Sequence, residues 1–240
     1  MQSFFDNIIC ISLKDREDRK KNILESFPFN INFFEAFNTK NENILLFRDF
    51  VSKKSWNQLL LTNRTGKRNY HHNLTNGSIG CFLSHIQILR YIVDNDIPLC
   101  LVFEDDNEPR IANIKQYLSY LYKNFPSDCD ILFLDYFTIR YNSENSIIVN
   151  KEFIRPLNRP TFKLFLTNCL IISNQGARKI LENFDKVSIQ YDAFLCKLFR
   201  DEKINIYISK NKYFRQSNKF MTDIQSGDIT FPKKFDYNKI

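Results

Sequence analysis

The run Leu101-Val102-Phe103-Glu104-Asp105-Asp106 ends an apolar stretch in three consecutive acids. As a buried strand, it would concentrate negative charge at one edge of a sheet. Such charges repel unless a cation or basic side chains compensate them. Carboxylate oxygens are the ligands that hard divalent ions prefer. Upstream lies Gly77-Ser78-Ile79-Gly80-Cys81-Phe82-Leu83-Ser84-His85, which reads as a turn opening a helix. Ser84 and His85 would then converge on the same rim as the acids. An acidic strand end by itself is more often a solvated turn, and a lone histidine more often a satisfied structural residue. The two motifs together make a strong pair. The other histidines are His71 and His72, so zinc gains no support from histidine spacing.

Arg16 and Arg19 lie three apart at the start of a helical segment, on one face. Positive charge there opposes the helix dipole, and an anion at that N-terminus would remove the conflict. Pairing with Asp15, Glu17 and Asp18 is the competing arrangement, and the residues alone weigh the two equally. Three further acids are placed to act as a general base: Asp135 after an apolar run, Asp192 in Gln190-Tyr191-Asp192-Ala193, and Asp223 in Met221-Thr222-Asp223-Ile224. Each, read alone, is more often a helix cap or an ion-pair partner. No Ser/His/Asp or Cys/His hydrolase pattern, glycine-rich dinucleotide fingerprint or phosphate loop is present.

The elements that must position these residues follow from periodicity. Asn7 to Leu13 reads as a first strand, and Arg16 to Ser26 as a helix capped by Asp15. Ile31 to Phe37 reads as a second strand. Residues 38 to 76 are the least regular part, with Thr62 to Asn69 the expected mobile loop. Ile79, Phe82, Leu83, Ile86, Leu89 and Val93 recur at helical spacing. Pro98 opens the acidic strand. A helix over 111–125, a strand over 131–134, a strand or strand pair over 162–173, helices over 174–183 and 192–199, and a strand over 204–208 complete the pattern. Strands alternating with helices imply an α/β layered fold with a mostly parallel sheet, whose ligands bind beyond the carboxyl ends of the strands. One domain over 1–240 is expected, with a polar insertion near 38–76 and a basic, aromatic tail over 210–240.

Composition bounds the partners. The 240 residues are 43% hydrophobic and 25% charged, enough for a full core. Phenylalanine is abundant at 24 residues, against 5 glycines. A net charge of +7 favours an anionic partner, whether nucleotide phosphates, nucleic acid or an acidic membrane surface. The basic residues are spread along the chain without a recognition motif, which argues against nucleic acid. None of the six cysteines forms a CxxC pair, and Cys10, Cys100 and Cys169 sit in apolar runs, a usage that suits a reducing compartment. No targeting segment or bilayer-length apolar stretch is evident. The expected location is the cytoplasm, with peripheral membrane contact allowed by the charge.

The chain resembles glycosyltransferase family 25, the lipooligosaccharide and collagen galactosyltransferases. The resemblance runs through Ile9 to Arg16 with Arg19, Phe34-Glu35-Ala36-Phe37, Gly80 to His85 and Val102 to Asp106. Thr167 to Ser173, Gly176-Ala177, Tyr191-Asp192, Gln216 and Thr222-Asp223-Ile224 extend it. The Gly-Cys-x-x-Ser-His block followed by the acidic triplet is the specific part. The resemblance implies a GT-A-like, Rossmann-type layered fold and inverting transfer of a hexose, galactose favoured, from a UDP-sugar to a glycan or glycolipid acceptor. It implies a divalent metal, Mn²⁺ or Mg²⁺, on Glu104 and Asp106, with donor contacts from Arg16, Arg19, Ser84, His85, Asp105 and Asp223. It leaves Asp192 as the base. The chain departs from the family at Asn38-Thr39, where Asp-Gly is common, and at Asp135, where a small residue is common. No histidine follows His85, so a third metal ligand from the C-terminal half must be an acid or an amide. A catalytically silent glycan- or partner-binding relative and a metal-dependent phosphohydrolase are the competing functions.

Overall fold

The computed structural model describes residues 7–39, 43–68, 70, 72–139, 146–157 and 163–220. Its centre is an eight-stranded sheet in the order β2-β1-β3-β8-β5-β9-β7-β6. The strands are β1 (Ile8–Ser12), β2 (Asn32–Glu35), β3 (Leu99–Glu104), β5 (Ile131–Ile139), β6 (Ser146–Ile148), β7 (Phe153–Pro156), β8 (Lys163–Ser173) and β9 (Ile206–Ser209). β1 pairs in parallel with β2 and β3, and β5 with β9. β8 runs antiparallel between β3 and β5, β7 antiparallel to β9, and β6 antiparallel to β7. β2, β1, β3, β5, β9 and β6 therefore point one way, and only β8 and β7 oppose them. The expected α/β fold with a mostly parallel sheet is the one observed.

Alternation along the strands explains why both faces are covered. Ile9 and Ile11 of β1, Val102 of β3 and Phe133 of β5 join one buried cluster. Their neighbours Ile8, Cys10, Leu101, Phe103 and Leu132 join the other. Successive side chains point to opposite faces, so near-continuous apolar strands need helices on both. The first face carries α3 (Asn76–Asp94), α5 (Asn174–Glu182) and α6 (Tyr191–Arg200). The second carries α1 (Glu17–Ser26) and α4 (Ile114–Lys123). A two-stranded ribbon, β4 (Asn107–Pro109) with β10 (Phe214–Gln216), lies just past the acidic triplet.

Three expectations need correction. Residues 38–76 hold a 3-10 helix, Ile44–Phe50, and the 13-residue helix α2, Lys53–Thr65. Polar residues on the outer face of α2 hide a buried stripe of Trp56, Leu59 and Thr62. Ser52 caps α2, and Gly66 ends it at φ 67°, a left-handed turn that suits glycine. The expected loop therefore begins only after Thr65. Asp15 does not cap α1: the cap position is Arg16, with no side-chain capping bond. Of the two arrangements expected near 162–173, one long strand is the one observed, β8 (Lys163–Ser173). The hairpin of β6 with β7, which joins the sheet through β9, had no expected counterpart, its strands being only three and four residues long.

Candidate active site

β1 and β3 end side by side, and a cleft open to solvent lies beyond them. Its walls come from the ends of β1 and β3, the loop after β2, α3 and Gln216 of β10. α3 reaches this rim because Thr75 and Ser78 form a reciprocal capping box. Gly80 then lets the helix approach closely: a Cβ there would strike the Phe37 carbonyl and the Thr39 hydroxyl. Ser84, fully buried, donates to the Gly80 carbonyl at 2.7 Å and accepts the Phe37 N–H at 3.0 Å. It thus ties the loop after β2 to α3, and both its bonds are internal.

The acidic triplet is not three equivalent acids. Asp105 accepts from the Ser12 hydroxyl at 2.7 Å and from Arg19 at 2.6 Å. Burial still pushes its carboxyl above the usual range, with Arg19 and Ser12 pulling the other way. Asp106 Oδ2 accepts from Gln216 Nε2 at 2.9 Å and lies 3.6 Å from Arg19. Asp106 Oδ1 is buried without a partner among the described residues. Burial, and then the Glu104 charge, raise the Asp106 carboxyl well above the ordinary aspartate value. Glu104 accepts from the Thr167 hydroxyl at 3.1 Å and lies 3.6 Å from His85 Nε2.

His85 is 1% exposed, and both its ring nitrogens lack a hydrogen-bond partner among the described residues. Its ring stacks on Tyr191 at 4.3 Å between centroids. Cys81 Sγ, a His85 nitrogen and a Glu104 oxygen all lie within 4.8 Å of one another. The carboxylate oxygens that could hold a hard divalent ion are Asp106 Oδ1 and those of Glu104. Both Asp105 oxygens already accept a bond, from Ser12 and from Arg19.

The remaining expected residues separate. Arg19 is buried and serves the triplet, whereas Arg16 pairs with exposed Asp18 at 2.9 Å. That pairing holds the Asp18 carboxyl down to about 2. The two arginines share a neighbour, the Phe220 ring. Asp192 sits in the first turn of α6 and accepts the Ala193 N–H at 2.6 Å. Desolvation pushes its carboxyl up to about 6, against the backbone N–H groups of Ala193 and Leu166. It does not line the cleft, although its charge acts on Cys81 and is acted on by Glu104. Asp135 accepts from Asn168 at 3.0 Å and is also away from the cleft lining. Asp223 lies outside the described residues.

Four contributors had no role assigned from sequence: Ser12, Cys81, Thr167 and Gln216. Cys81 was legible, one helical turn before His85. Thr167 and Gln216 lie far along the chain, and only folding brings them to Glu104 and Asp106. Leu166, next to Thr167, has φ 74°, rare for a residue with a branched side chain. The irregular register between β5 and β8 falls in the same stretch. Such strain persists where surrounding structure over-determines it, and it gathers at functional sites.

A Rossmann-type α/β layered fold with a cleft at the carboxyl ends of parallel strands, where the acidic triplet lies, defines the class. The model of glycosyltransferase family 25 (LPS biosynthesis protein) matches residues 5–195, and the chain belongs to that family. It is 34% identical to mouse procollagen galactosyltransferase 2 over 107 residues, 42% of this chain and 16% of that protein. It is 25% identical to procollagen galactosyltransferase 1-B of Xenopus laevis over 216 residues, 85% of this chain and 33% of that protein. The chain thus spans a third or less of these relatives. Among solved structures, 4-diphosphocytidyl-2C-methyl-D-erythritol synthase of Anaerococcus prevotii aligns with a TM-score of 0.40 at 13% identity, over 89% of this chain and 74% of that one. Among the described residues, no helix is long and apolar enough to cross a membrane.

Proposed function

We propose that this chain transfers a hexose, galactose by preference, from a UDP-sugar to a glycan or glycoconjugate acceptor, with inversion, on a GT-A-type fold. The observation that carries the reading is Asp106 Oδ1. It is a buried carboxylate oxygen without a partner among the described residues, beside Glu104 and in a cleft at the strand ends. A buried, unpaired carboxylate oxygen is costly unless something binds it.

Glu104 and Asp106 would hold a divalent ion, Mn²⁺ or Mg²⁺, which when bound neutralises charge on a diphosphate leaving group. Arg19 and Ser12 keep Asp105 in place and so fix the strand end that presents both ligands. Gln216 orients Asp106 from the opposite side. The Ser84–His85 turn of α3 forms the donor wall, while Arg16 lies off the cleft lining, paired with Asp18. For inversion, a carboxylate must take the acceptor hydroxyl proton on the face opposite the leaving group. Asp192 is the proposed base, since its carboxyl near 6 is suited to accept a proton at neutral pH. Its absence from the cleft lining favours a second reading, a silent relative that binds a nucleotide-sugar or glycan without transferring it. The net charge of +7 suits peripheral contact with an anionic membrane bearing a glycolipid acceptor.

The test is calorimetric titration of UDP with and without Mn²⁺, paired with a screen of UDP-sugars for hydrolysis. Asp106→Asn should abolish Mn²⁺-dependent UDP affinity while leaving the circular dichroism spectrum intact. Unchanged Mn²⁺–UDP affinity in that variant refutes the reading. Affinity for UDP with no hydrolysis or transfer from any UDP-sugar selects the silent relative.

A further inference from the structure

We propose that Cys81, His85 and Glu104 form a binding site for a thiophilic transition ion, Zn²⁺ in particular, which overlaps the hard-ion position at Asp106 through Glu104 alone. Cys81 and His85 are four apart on α3, so both side chains leave the same helix face one turn apart. β3 ends in Glu104 opposite them, and the three donor atoms lie within 4.8 Å of one another. All three residues line the cleft, which gives an ion a path in. Three-ligand zinc centres keep a fourth position open.

His85 supplies the independent observation. A buried imidazole makes at least one hydrogen bond in nearly every folded protein. Here both nitrogens are buried and unpartnered among the described residues, and Glu104 Oε1 lies 3.6 Å from Nε2. That is too far for a hydrogen bond and near enough for both atoms to share an ion. The surroundings hold the donors in place: Tyr191 stacks on the imidazole, and Thr167 bonds the carboxylate. Partners of this kind orient metal ligands. Bond lengths to zinc of about 2.0–2.3 Å would bring the donor atoms to roughly 3.5 Å apart, a side-chain movement of about 1 Å.

The donor set decides the ion. Sulfur, imidazole nitrogen and one carboxylate suit Zn²⁺ or Co²⁺, whereas Mn²⁺ and Mg²⁺ prefer oxygen alone. Binding converts the Cys81 thiol to a thiolate and releases its proton to solvent. Glu104 is shared with the hard-ion position, so Zn²⁺ and Mn²⁺ should compete for it.

The test needs no nucleotide and so stands apart from the transferase reading. The chelator-treated full chain is titrated with Co²⁺ and followed by absorption. One equivalent should produce thiolate-to-cobalt charge transfer and the visible bands of a tetrahedral ion, both removed by Zn²⁺. Cys81→Ser should lose the charge-transfer band and His85→Asn the tetrahedral bands, while Asp106→Asn keeps both. Zn²⁺ should also slow alkylation of Cys81 in the wild-type chain, read by mass spectrometry, which needs no variant to fold. Absence of the charge-transfer band in the wild type, its survival in Cys81→Ser, or an alkylation rate indifferent to Zn²⁺ overturns the proposal.

Discussion

Replacing Arg19 by methionine should be among the most damaging single changes outside the apolar core, and its cost should depend on pH. Arg19 and Asp105 are 6% and 7% exposed and 2.6 Å apart, with Asp106 at 3.6 Å. At an effective dielectric of about 20, charges whose centres lie about 4 Å apart attract by roughly 4 kcal/mol. Removing one partner of a buried pair costs about 3–5 kcal/mol, because the other charge stays buried alone. Methionine fills much of the arginine stem's volume, so lost packing contributes little. The sign follows from Asp105, whose carboxyl is already raised by burial and would rise further without Arg19. A carboxyl raised in the folded state favours folding below its unfolded value, and that contribution is lost as pH rises through the folded value. Arg19→Met should therefore cost the full amount at pH 8 and less at pH 5, since a carboxyl raised further by loss of Arg19 takes up a proton on folding as the pH falls. Urea unfolding of both chains at the two pH values, followed by circular dichroism, measures the difference. A cost under about 1 kcal/mol, equal at both pH values, would show that water screens the pair.

Asp192→Asn should lower sugar transfer by roughly two orders of magnitude or more with donor affinity unchanged, and near-normal turnover would reduce Asp192 to a helix-end carboxylate. In the wild type, kcat should fall as pH drops below about 6, because protonation of Asp192 removes the base. A kcat flat from pH 7 to pH 5 excludes it. Gly80→Ala should destabilise the chain and loosen the loop after β2, since its methyl meets the Phe37 carbonyl. Faster hydrogen exchange at the Phe37 amide checks this, and unchanged protection counts against the close approach.

The sequence was legible wherever one segment carries its own signal. β1, α3 and β3 announce themselves by apolar period, and the acidic triplet marks the strand end. Legibility failed in α2, where Lys53, Lys54, Asn57 and Asn63 swamp the buried stripe of Trp56 and Leu59 in any average over the segment. It failed differently at Arg16 and Arg19. Spacing put them on one face, yet one pairs with Asp18 at the surface and the other reaches into the core to Asp105. Arg16 is the cap residue, with non-helical φ −94° and ψ 56°, whereas Arg19 lies inside α1, so helical spacing does not hold the two on one face.

What remained hidden has a common cause. Ser12, Thr167 and Gln216 are polar residues of ordinary type, and each gains its meaning from a carboxylate distant in the chain. β8 shows how this arises. It runs against its neighbours β3 and β5, so its residues reach the carboxyl edge of the sheet from the opposite direction. Near that edge Leu166 takes φ 74°, where its N–H helps hold the Asp192 carboxylate, and Thr167 next to it bonds Glu104. One irregular turn in an antiparallel strand thus links the proposed base to the proposed metal ligand. A regular strand in this register would turn alternate side chains to opposite faces without bending its backbone towards α6. The strain at Leu166 is therefore best read together with both carboxylates: it is the local cost of addressing two acids from adjacent residues.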